Sequence, residues 1–186
     1  DHDRAIEYHE KALQIELKTL GEEHPEVAAT YGILGIAYAK KGDHDKAIEC
    51  LEKCLEIYGK SLGQEHPDLT ATYHSLCMSY RDKGDYDKAI ECFEKCLEIQ
   101  LKVLDPEHPD VAAAYSGLGA AYLQKGDHDR AIEYHEKALQ IELKALGPNH
   151  PDIAESYGGL GNAYFQKGDH DKAIDLFEKA LQIRLN

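Results

Sequence analysis

The sequence predicts an all-α fold, an α-solenoid in which nine helices stack as helix pairs. The first observation is the octet Lys41–Ile48, which returns three times, each time 42 residues further along and without an insertion or deletion. A fixed period of this length is typical of stacked structural repeats. The second observation is that the apolar residues between the octets follow the 3.6-residue period of a helix. The other copies are Lys83–Ile90, Lys125–Ile132 and Lys167–Ile174.

The octet combines the end of one helix with the start of the next. Gly42 can adopt the left-handed conformation that ends a helix. Either Asp43 or Asp45 can then accept a hydrogen bond from the first free N–H groups of the following helix. We call the helix before this turn helix A and the helix after it helix B.

The elements follow in a regular order. Residues 1–20 form a lone helix B, which Gly21 ends. Pro25 suits the first turn of a helix A, where its missing N–H has no partner to lose, and this helix runs to about Lys41. The start of helix A recurs at His66-Pro67-Asp68, His108-Pro109-Asp110 and His150-Pro151-Asp152. The predicted organisation is one solenoid over residues 1–186, with helix B at 1–20 and four A–B repeats at 21–62, 63–104, 105–146 and 147–186.

Two segments of the chain are identical. Asp1–Lys18 has the same sequence as Asp127–Lys144, three repeats away. This identity indicates either a recent internal duplication or a designed sequence, and the residues do not separate the two origins.

Composition excludes several classes of protein. The 186 residues are 42% hydrophobic and 30% charged, with a formal net charge of −14. An acidic chain without a basic run is a poor ligand for nucleic acid or an anionic membrane surface. No apolar run is long enough to span a membrane or to serve as a signal peptide. Five cysteines, an odd number inside helical patterns, favour a reducing compartment. We therefore predict a cytoplasmic protein.

The repeats resemble those of a known family. Tyr31-x-x-Leu34-Gly35-x-x-Tyr38 followed by Ala47-x-x-x-Leu51 is similar to the tetratricopeptide pattern, and the longer unit with its His-Pro joint looks like that of kinesin light chains. The resemblance implies a right-handed superhelix of antiparallel helix pairs in which helix A lines the concave side. It also implies a non-catalytic scaffold that binds peptides there. The pattern recurs at Tyr115, Leu118, Gly119 and Tyr122 and at Tyr157, Leu160, Gly161 and Tyr164.

The two helix types differ in charge. The outward positions of helix B are nearly all charged, whereas the side of helix A opposite its tyrosines is nearly neutral. We predict that this neutral stripe binds a protein or peptide partner, because exposed apolar patches often mark interaction sites. A second interpretation is that small residues there only permit tight curvature, or that the stripe packs against itself. The predicted peptide-binding residues are Ile36, Lys40, His74, Met78, Arg81, Ser116, Leu123, Gln124, Asn162, Phe165 and Gln166.

No motif of catalysis or metal binding is present. Cys50/Cys54 and Cys92/Cys96 lie four apart on helices, too far apart for a disulfide within either pair. We interpret all five cysteines as small buried thiols, and a thiolate metal cluster that includes Cys77 is the alternative. Histidines that recur once per repeat lie too far apart to share one metal ion. The sequence therefore predicts no enzyme, no cofactor and no metal site.

The ends of the chain suggest an alternative function. The first and last helices are both of type B, and terminal repeats of a solenoid normally carry a polar outer face. The chain is then either a piece of a longer array or a module that self-associates. In the second case the function is structural, a homo-oligomer formed end to end or symmetrically through the terminal helices.

Overall fold

The computed structural model of the protein describes residues 2–63, 66 and 69–185. Within these residues it contains nine α-helices and no strand, and all nine lie where the sequence predicts them. Pro67 and Asp68, where the sequence predicts the start of the second helix A, lie outside the described residues. The helices are α1 (His2–Thr19), α2 (Pro25–Lys41), α3 (His44–Leu62), α4 (Thr70–Lys83), α5 (Tyr86–Val103), α6 (Pro109–Lys125), α7 (His128–Leu146), α8 (Pro151–Lys167) and α9 (His170–Leu185).

The Gly-Asp turn closes each A helix in the predicted way. Gly42 has φ 85°, and its N–H donates to the Ala39 carbonyl at 3.0 Å. The Asp43 N–H donates to the Tyr38 carbonyl, also at 3.0 Å, which completes a Schellman motif. The side chain of Asp43 also accepts from the Lys46 N–H at 3.3 Å. Asp43, and not Asp45, is therefore the N-cap of this helix. Asp85, Asp127 and Asp169 make the same capping hydrogen bond in the other repeats.

The His-Pro joint also contains a cap, which the sequence reasoning missed. Nδ1 of His24 accepts a hydrogen bond from the Glu26 N–H at 3.2 Å, with Pro25 in the first turn as predicted. Histidine therefore does here what serine or aspartate does at most helix starts. The recurrence of a histidine directly before a proline in each repeat could have indicated this cap from the sequence. The same bond forms at His108 and His150, at 3.1 and 3.3 Å.

The chain divides into two compact units, Asp1–Cys92 and Phe93–Asn186, and the division falls inside α5. In unit 1, Leu34 and Tyr38 of α2 pack with Ile6 of α1 and Ala47 of α3. In unit 2, α6 packs between α5 and α7 through a smaller cluster of Val111, Ala112 and Ile141. The single solenoid over residues 1–186 stays a prediction.

No helix within residues 2–63 and 69–185 combines the length and the apolar character of a membrane span.

Candidate functional site: the outward faces of the A helices

The core side of helix A is packed in α2, as predicted. Leu34 is 1% exposed and Tyr38 is 5% exposed. Gly35 lies so close to α3 that a Cβ added there would approach Leu51 Cγ to 2.6 Å. Because this side is filled, the opposite side of helix A is the one that is left for solvent or a partner.

In unit 1 the predicted binding residues form a patch on α2 and α4, which we call the unit 1 A-face. Ile36 is 43% exposed and Lys40 is also exposed, whereas His74 and Met78 are half-buried. Arg81 donates from Nε and Nη2 to Asp82 Oδ1 at 3.0 and 2.8 Å. Its charge is therefore already balanced, and the patch offers an apolar centre with little net charge.

In unit 2 the predicted residues lie on α6 and α8, and we call them the unit 2 A-face. Phe165 is 55% exposed, with its ring 5.2 Å from that of His170. Leu123 occupies the same repeat position but is only 8% exposed. The prediction that Leu123 is an exposed anchor was therefore wrong, because α6 is flanked by α8, while no A helix follows α8 in the described residues. Gln124, Asn162 and Gln166 are exposed and Ser116 is half-buried.

Each A helix is also tied to the preceding B helix by a hydrogen bond that the sequence reasoning missed. The last core tyrosine of helix A donates from its hydroxyl to a glutamate 28 residues earlier. The repeat of a Tyr and a Glu at this same separation could have indicated this bond from the sequence. The pairs are Tyr38–Glu10 at 2.5 Å, Tyr80–Glu52, Tyr122–Glu94 at 3.5 Å and Tyr164–Glu136 at 2.9 Å.

A lysine at the end of helix A makes a second tie to the same B helix. Nζ of Lys41 lies 2.7 Å from Asp3, and Nζ of Lys167 lies 2.6 Å from Asp129. These pairs are exposed, so each contributes little to stability. These pairs help to fix the position of helix A on the preceding helix B. A Tyr and a Lys three residues apart on helix A contact a Glu and an Asp at fixed places on helix B.

The tyrosine tie makes stability depend on alkaline pH. Burial and the hydrogen bond to Glu136 raise the pKa of Tyr164 to about 12, from an ordinary value of 10.0. Because the folded pKa is the higher one, the stabilisation is complete below pH 10 and is lost as the pH rises from 10 through 12. We expect Tyr164→Phe to lower the free energy of unfolding by about 0.5–1 kcal/mol at pH 7, and to make the alkaline loss smaller, because the other tyrosine ties remain.

The measurement is denaturant unfolding of both proteins at pH 7 and across pH 9–11. Tyr157→Phe on the same helix is the control, since the described residues offer its hydroxyl no hydrogen bond. If the free energy of unfolding of Tyr164→Phe falls at alkaline pH as much as that of the unsubstituted chain, Tyr164 does not contribute to the alkaline loss of stability.

His135 is the one strongly buried histidine among the described residues. It lies on α7, is 6% exposed, and has its ring between Gly119 of α6 and Gly159 of α8. Desolvation lowers its pKa to about 4. The side chain is therefore a neutral core residue, in the place that Phe93 and Phe177 take in other repeats.

The structure corrects the prediction that all five cysteines are thiols. Cys77 on α4 and Cys92 on α5 form a disulfide, with Cα atoms 5.3 Å apart. The sequence reasoning tested only pairs four residues apart, whereas two antiparallel helices bring together residues 15 apart around the Gly-Asp turn. Cys50, Cys54 and Cys96 are free, as predicted. The argument for a reducing compartment assumed five thiols, so the cytoplasmic location stays a prediction that has lost this support.

The B helices carry the charged surface that the sequence predicts. Expected i,i+4 pairs form on α1, α7 and α9, while Lys53 of α3 bonds Glu56 at 3.4 Å rather than Glu49. Such exposed pairs contribute only a few tenths of a kcal/mol each. The part of the chain that the structure describes brings no three His, Cys, Asp or Glu side chains together as a metal site. On these three helices the pairs are Glu7–Lys11, Glu133–Lys137 and Asp175–Lys179.

Comparisons with known proteins agree with this architecture. The family model described as tetratricopeptide repeat matches residues 1–60, 68–141 and 110–186. The nearly identical TPR-like repeats described as those of a kinesin light chain from Podosopora anserina are 34% identical, with a TM-score of 0.84, over 98% of this chain and 87% of that chain. A comparison with curated protein sequences gives no match.

Two further solved structures extend the likeness. BtubC (BKLC) from P. vanneervenii is 27% identical with a TM-score of 0.86, over 100% of this chain and 74% of that chain. MamA is 26% identical with a TM-score of 0.70, over 99% of this chain and 89% of that chain. These matches confirm the predicted resemblance and the all-α solenoid fold class.

Proposed function

Since the chain belongs to the tetratricopeptide repeat family, we propose that it is a non-catalytic scaffold that binds a peptide or a short helix on its A-faces. Proteins of this family are in general protein–protein interaction scaffolds. We place the binding site on the A-faces because of the side chains that these faces expose.

The observation that carries the proposal is the contrast between the two helix types. Ile36 is 43% exposed on a face with little net charge, whereas every exposed side chain of α3 between residues 45 and 60 is charged. Covering an apolar side chain releases water at a gain of about 25 cal/mol per Å² of apolar surface, while covering a charged helix requires the desolvation of ions. A peptide partner therefore gains more on the unit 1 A-face than on the charged surface of α3.

The polar residues of the A-faces suit a peptide backbone. Gln124, Asn162 and Gln166 are exposed amides, and each can donate to a carbonyl and accept from an N–H. Neutral amides give orientation without a demand for a charged ligand. Of the two cations on the unit 1 A-face, Arg81 is paired with Asp82 and Lys40 is exposed. We therefore do not expect this face to recognise a partner through its terminal carboxylate alone.

The test is a selection of peptides from a random library on the full chain, followed by calorimetric titration of variants. Ile36 and Asn162 occupy the same repeat position in the two units, and both are exposed. We expect Ile36→Glu or Asn162→Glu to weaken the selected peptides at least about tenfold, since each introduces an unpaired charge into the contact.

The matched control places the same substitution on a B helix. Gln140 of α7 is exposed and lies outside the A-faces, so Gln140→Glu should leave the affinity unchanged. Circular dichroism checks that every variant is folded. Peptides that bind both A-face variants as tightly as the unsubstituted chain would exclude these faces as the binding site.

A further inference from the structure

The Cys77–Cys92 disulfide lies where other repeats have a close helix contact through glycine. In α2 this position is Gly35, where an added Cβ would approach Leu51 Cγ of α3 to 2.6 Å. At the matching position α4 carries Cys77, whose side chain is fully buried and bonded to Cys92 of α5. Among the described helix pairs, this one alone is joined covalently.

The turn between α4 and α5 holds the two cysteines near each other independently of the disulfide. Gly84 ends α4 with φ 91°, and its N–H donates to the Arg81 carbonyl at 2.9 Å. The Asp85 N–H donates to the Tyr80 carbonyl, also at 2.9 Å. Asp85 then caps α5 by accepting from the Lys88 N–H at 3.4 Å. Because none of these bonds involves sulfur, the reduced thiols stay within reach of each other and can be oxidised again.

The structure also provides for the reduced form of Cys92. The Tyr73 carbonyl oxygen of α4 lies 3.6 Å from Sγ of Cys92. A thiol is a weak hydrogen-bond donor, so the reduced side chain has an acceptor in place. Cys92 is half-buried, whereas Cys77 is 0% exposed. A dissolved thiol therefore reaches the disulfide at the sulfur atom of Cys92.

Reduction removes the bond that fixes α4 on α5. Two bonded sulfur atoms lie about 2 Å apart, whereas atoms that are only in contact lie about 3.5–4 Å apart. Since Cys77 is fully buried, its side chain cannot turn into solvent to make this room. The helices have to adjust instead, and α4 is then held on α5 by packing alone.

A change in α4 at this point reaches the unit 1 A-face. Met78 directly follows Cys77, and His74 and Arg81 lie about one helical turn to either side. These three residues are the part of the unit 1 A-face that α4 contributes. A surface that is fixed before binding loses less conformational freedom when a peptide binds. The disulfide form therefore presents the more favourable binding surface.

We propose that Cys77 and Cys92 form a reversible redox switch that controls how firmly α4, with its part of the unit 1 A-face, is held. The disulfide fixes α4, and the dithiol releases it. The control of peptide binding rests on the proposed function of the A-faces, whereas the switch itself does not.

The exchange partner is a small thiol, for which glutathione serves as the probe. Its thiolate attacks Sγ of Cys92, the bond between the two protein sulfur atoms breaks, and Cys77 leaves as a thiolate that takes up a proton. A second glutathione thiolate attacks the glutathione sulfur of this mixed disulfide. Cys92 then leaves as a thiolate and also takes up a proton. Two glutathione thiols are thus oxidised to glutathione disulfide while the protein disulfide is reduced, and glutathione disulfide drives the reverse reaction.

The experiment equilibrates the full, folded chain in buffers of reduced or oxidised glutathione and follows hydrogen exchange by mass spectrometry. Unfolding and alkylation of a parallel sample should give three free cysteines in the oxidising buffer and, with the two of the switch, five in the reducing buffer. Because a cross-link over a separation of 15 residues is lost, the amides of α4 should exchange at least about tenfold faster in the reduced chain. The amides of α2 should change little.

Two serine variants locate the effect. Cys92→Ser cannot form the bond, so its α4 should exchange like that of the reduced chain in both buffers. Cys50→Ser is the matched control, because Cys50 occupies the same repeat position on α3 and is a free thiol. This variant should keep the full redox response. The unsubstituted chain supplies both states by itself, so the test does not depend on the folding of Cys92→Ser.

Calorimetric titration in the two buffers tests the control of the unit 1 A-face. Selected peptides that Ile36→Glu weakens should bind the reduced chain about three to ten times more weakly than the oxidised chain. Peptides that are weakened only by Asn162→Glu, in unit 2, should bind both forms equally.

The outcomes separate the switch from the proposed function. The switch is excluded if both buffers give the same number of free cysteines, or if α4 exchanges equally fast in the two states. If α4 responds but unit 1 peptides bind both states equally, control of the A-face is excluded. If no peptide binds the A-faces at all, the proposed function fails, and hydrogen exchange still decides whether α4 is switched.

Discussion

Lowering the pH from 7 to 4 is expected to remove ~3 kcal/mol from the free energy of unfolding through His135 alone. Burial lowers the pKa of His135 to about 4, whereas the unfolded chain titrates at the ordinary value of 6.5. Because the folded pKa is the lower one, the unfolded state binds the proton first. The stabilisation is therefore complete above pH 6.5 and is lost as the pH falls from 6.5 through 4.

The measurement is urea unfolding at intervals between pH 4 and pH 7.5 for the unsubstituted chain and for His135→Phe. Phenylalanine occupies this repeat position at Phe93 and Phe177, each packed on a glycine of helix A, so the ring fits the site. We expect His135→Phe to be at least as stable at pH 7 and to show a shallower acid dependence.

The identical stretch at the start of the chain supplies the control. His9 occupies the position of His135 in the same local sequence, but it lies on α1, which has no helix A before it in the described residues. The His9→Phe variant should keep the acid-dependent loss, because His135 is still present. If His135→Phe and the unsubstituted chain lose stability equally below pH 6.5, the acid sensitivity arises elsewhere.

Replacement of Gly117 by alanine is expected to lower the free energy of unfolding by about 1–3 kcal/mol through overpacking. The new Cβ would lie 2.5 Å from Cζ and 2.9 Å from Cδ1 of Phe93, a ring that is fully buried and cannot move aside without disturbing its neighbours. This loss exceeds the intrinsic preference of a helix for alanine over glycine, which is about 0.5–1 kcal/mol.

Gly158→Ala tests the same substitution without the contact. Gly158 also lies inside an A helix, but no atom lies within 4 Å of a Cβ placed there. We therefore expect this variant to be more stable than the unsubstituted chain, by about 0.5–1 kcal/mol. Thermal and urea unfolding of the two variants should give opposite signs. Equal signs would show that helix propensity, and not the approach of helix α6 to Phe93, controls these positions.

Local signals in the sequence were sufficient for the architecture. Gly42 and Asp43 define a helix end and a helix start through their own backbone and side-chain chemistry, so the repeat of this pair placed the helices without knowledge of their packing. The stripe that contains Leu34 and Tyr38 was assigned to the core correctly, because the helix period brings these residues to one side.

The contacts between helices were less predictable. The Cys77–Cys92 disulfide joins two helices around a turn, and its formation depends on their separation and rotation rather than on spacing along one helix. The Tyr–Glu ties also join different helices. Leu123 was assigned to the exposed surface because the period of helix α6 places it there, yet the neighbouring helix α8 leaves only 8% of it accessible. In each case a second helix decides the outcome.

The identical segments Asp1–Lys18 and Asp127–Lys144 separate what sequence alone determines from what tertiary structure decides. Residues 2–18 and 128–144 both form a B helix, because the apolar period and the charged pairs are local properties. Burial differs between them. Ile15 is 62% exposed, whereas Ile141 at the same position is 8% exposed, and only the second has a helix A packed in front of it. Removal of apolar surface from water needs a second surface, so the chain's own sequence determines the helix while its neighbours decide which faces remain open to a partner.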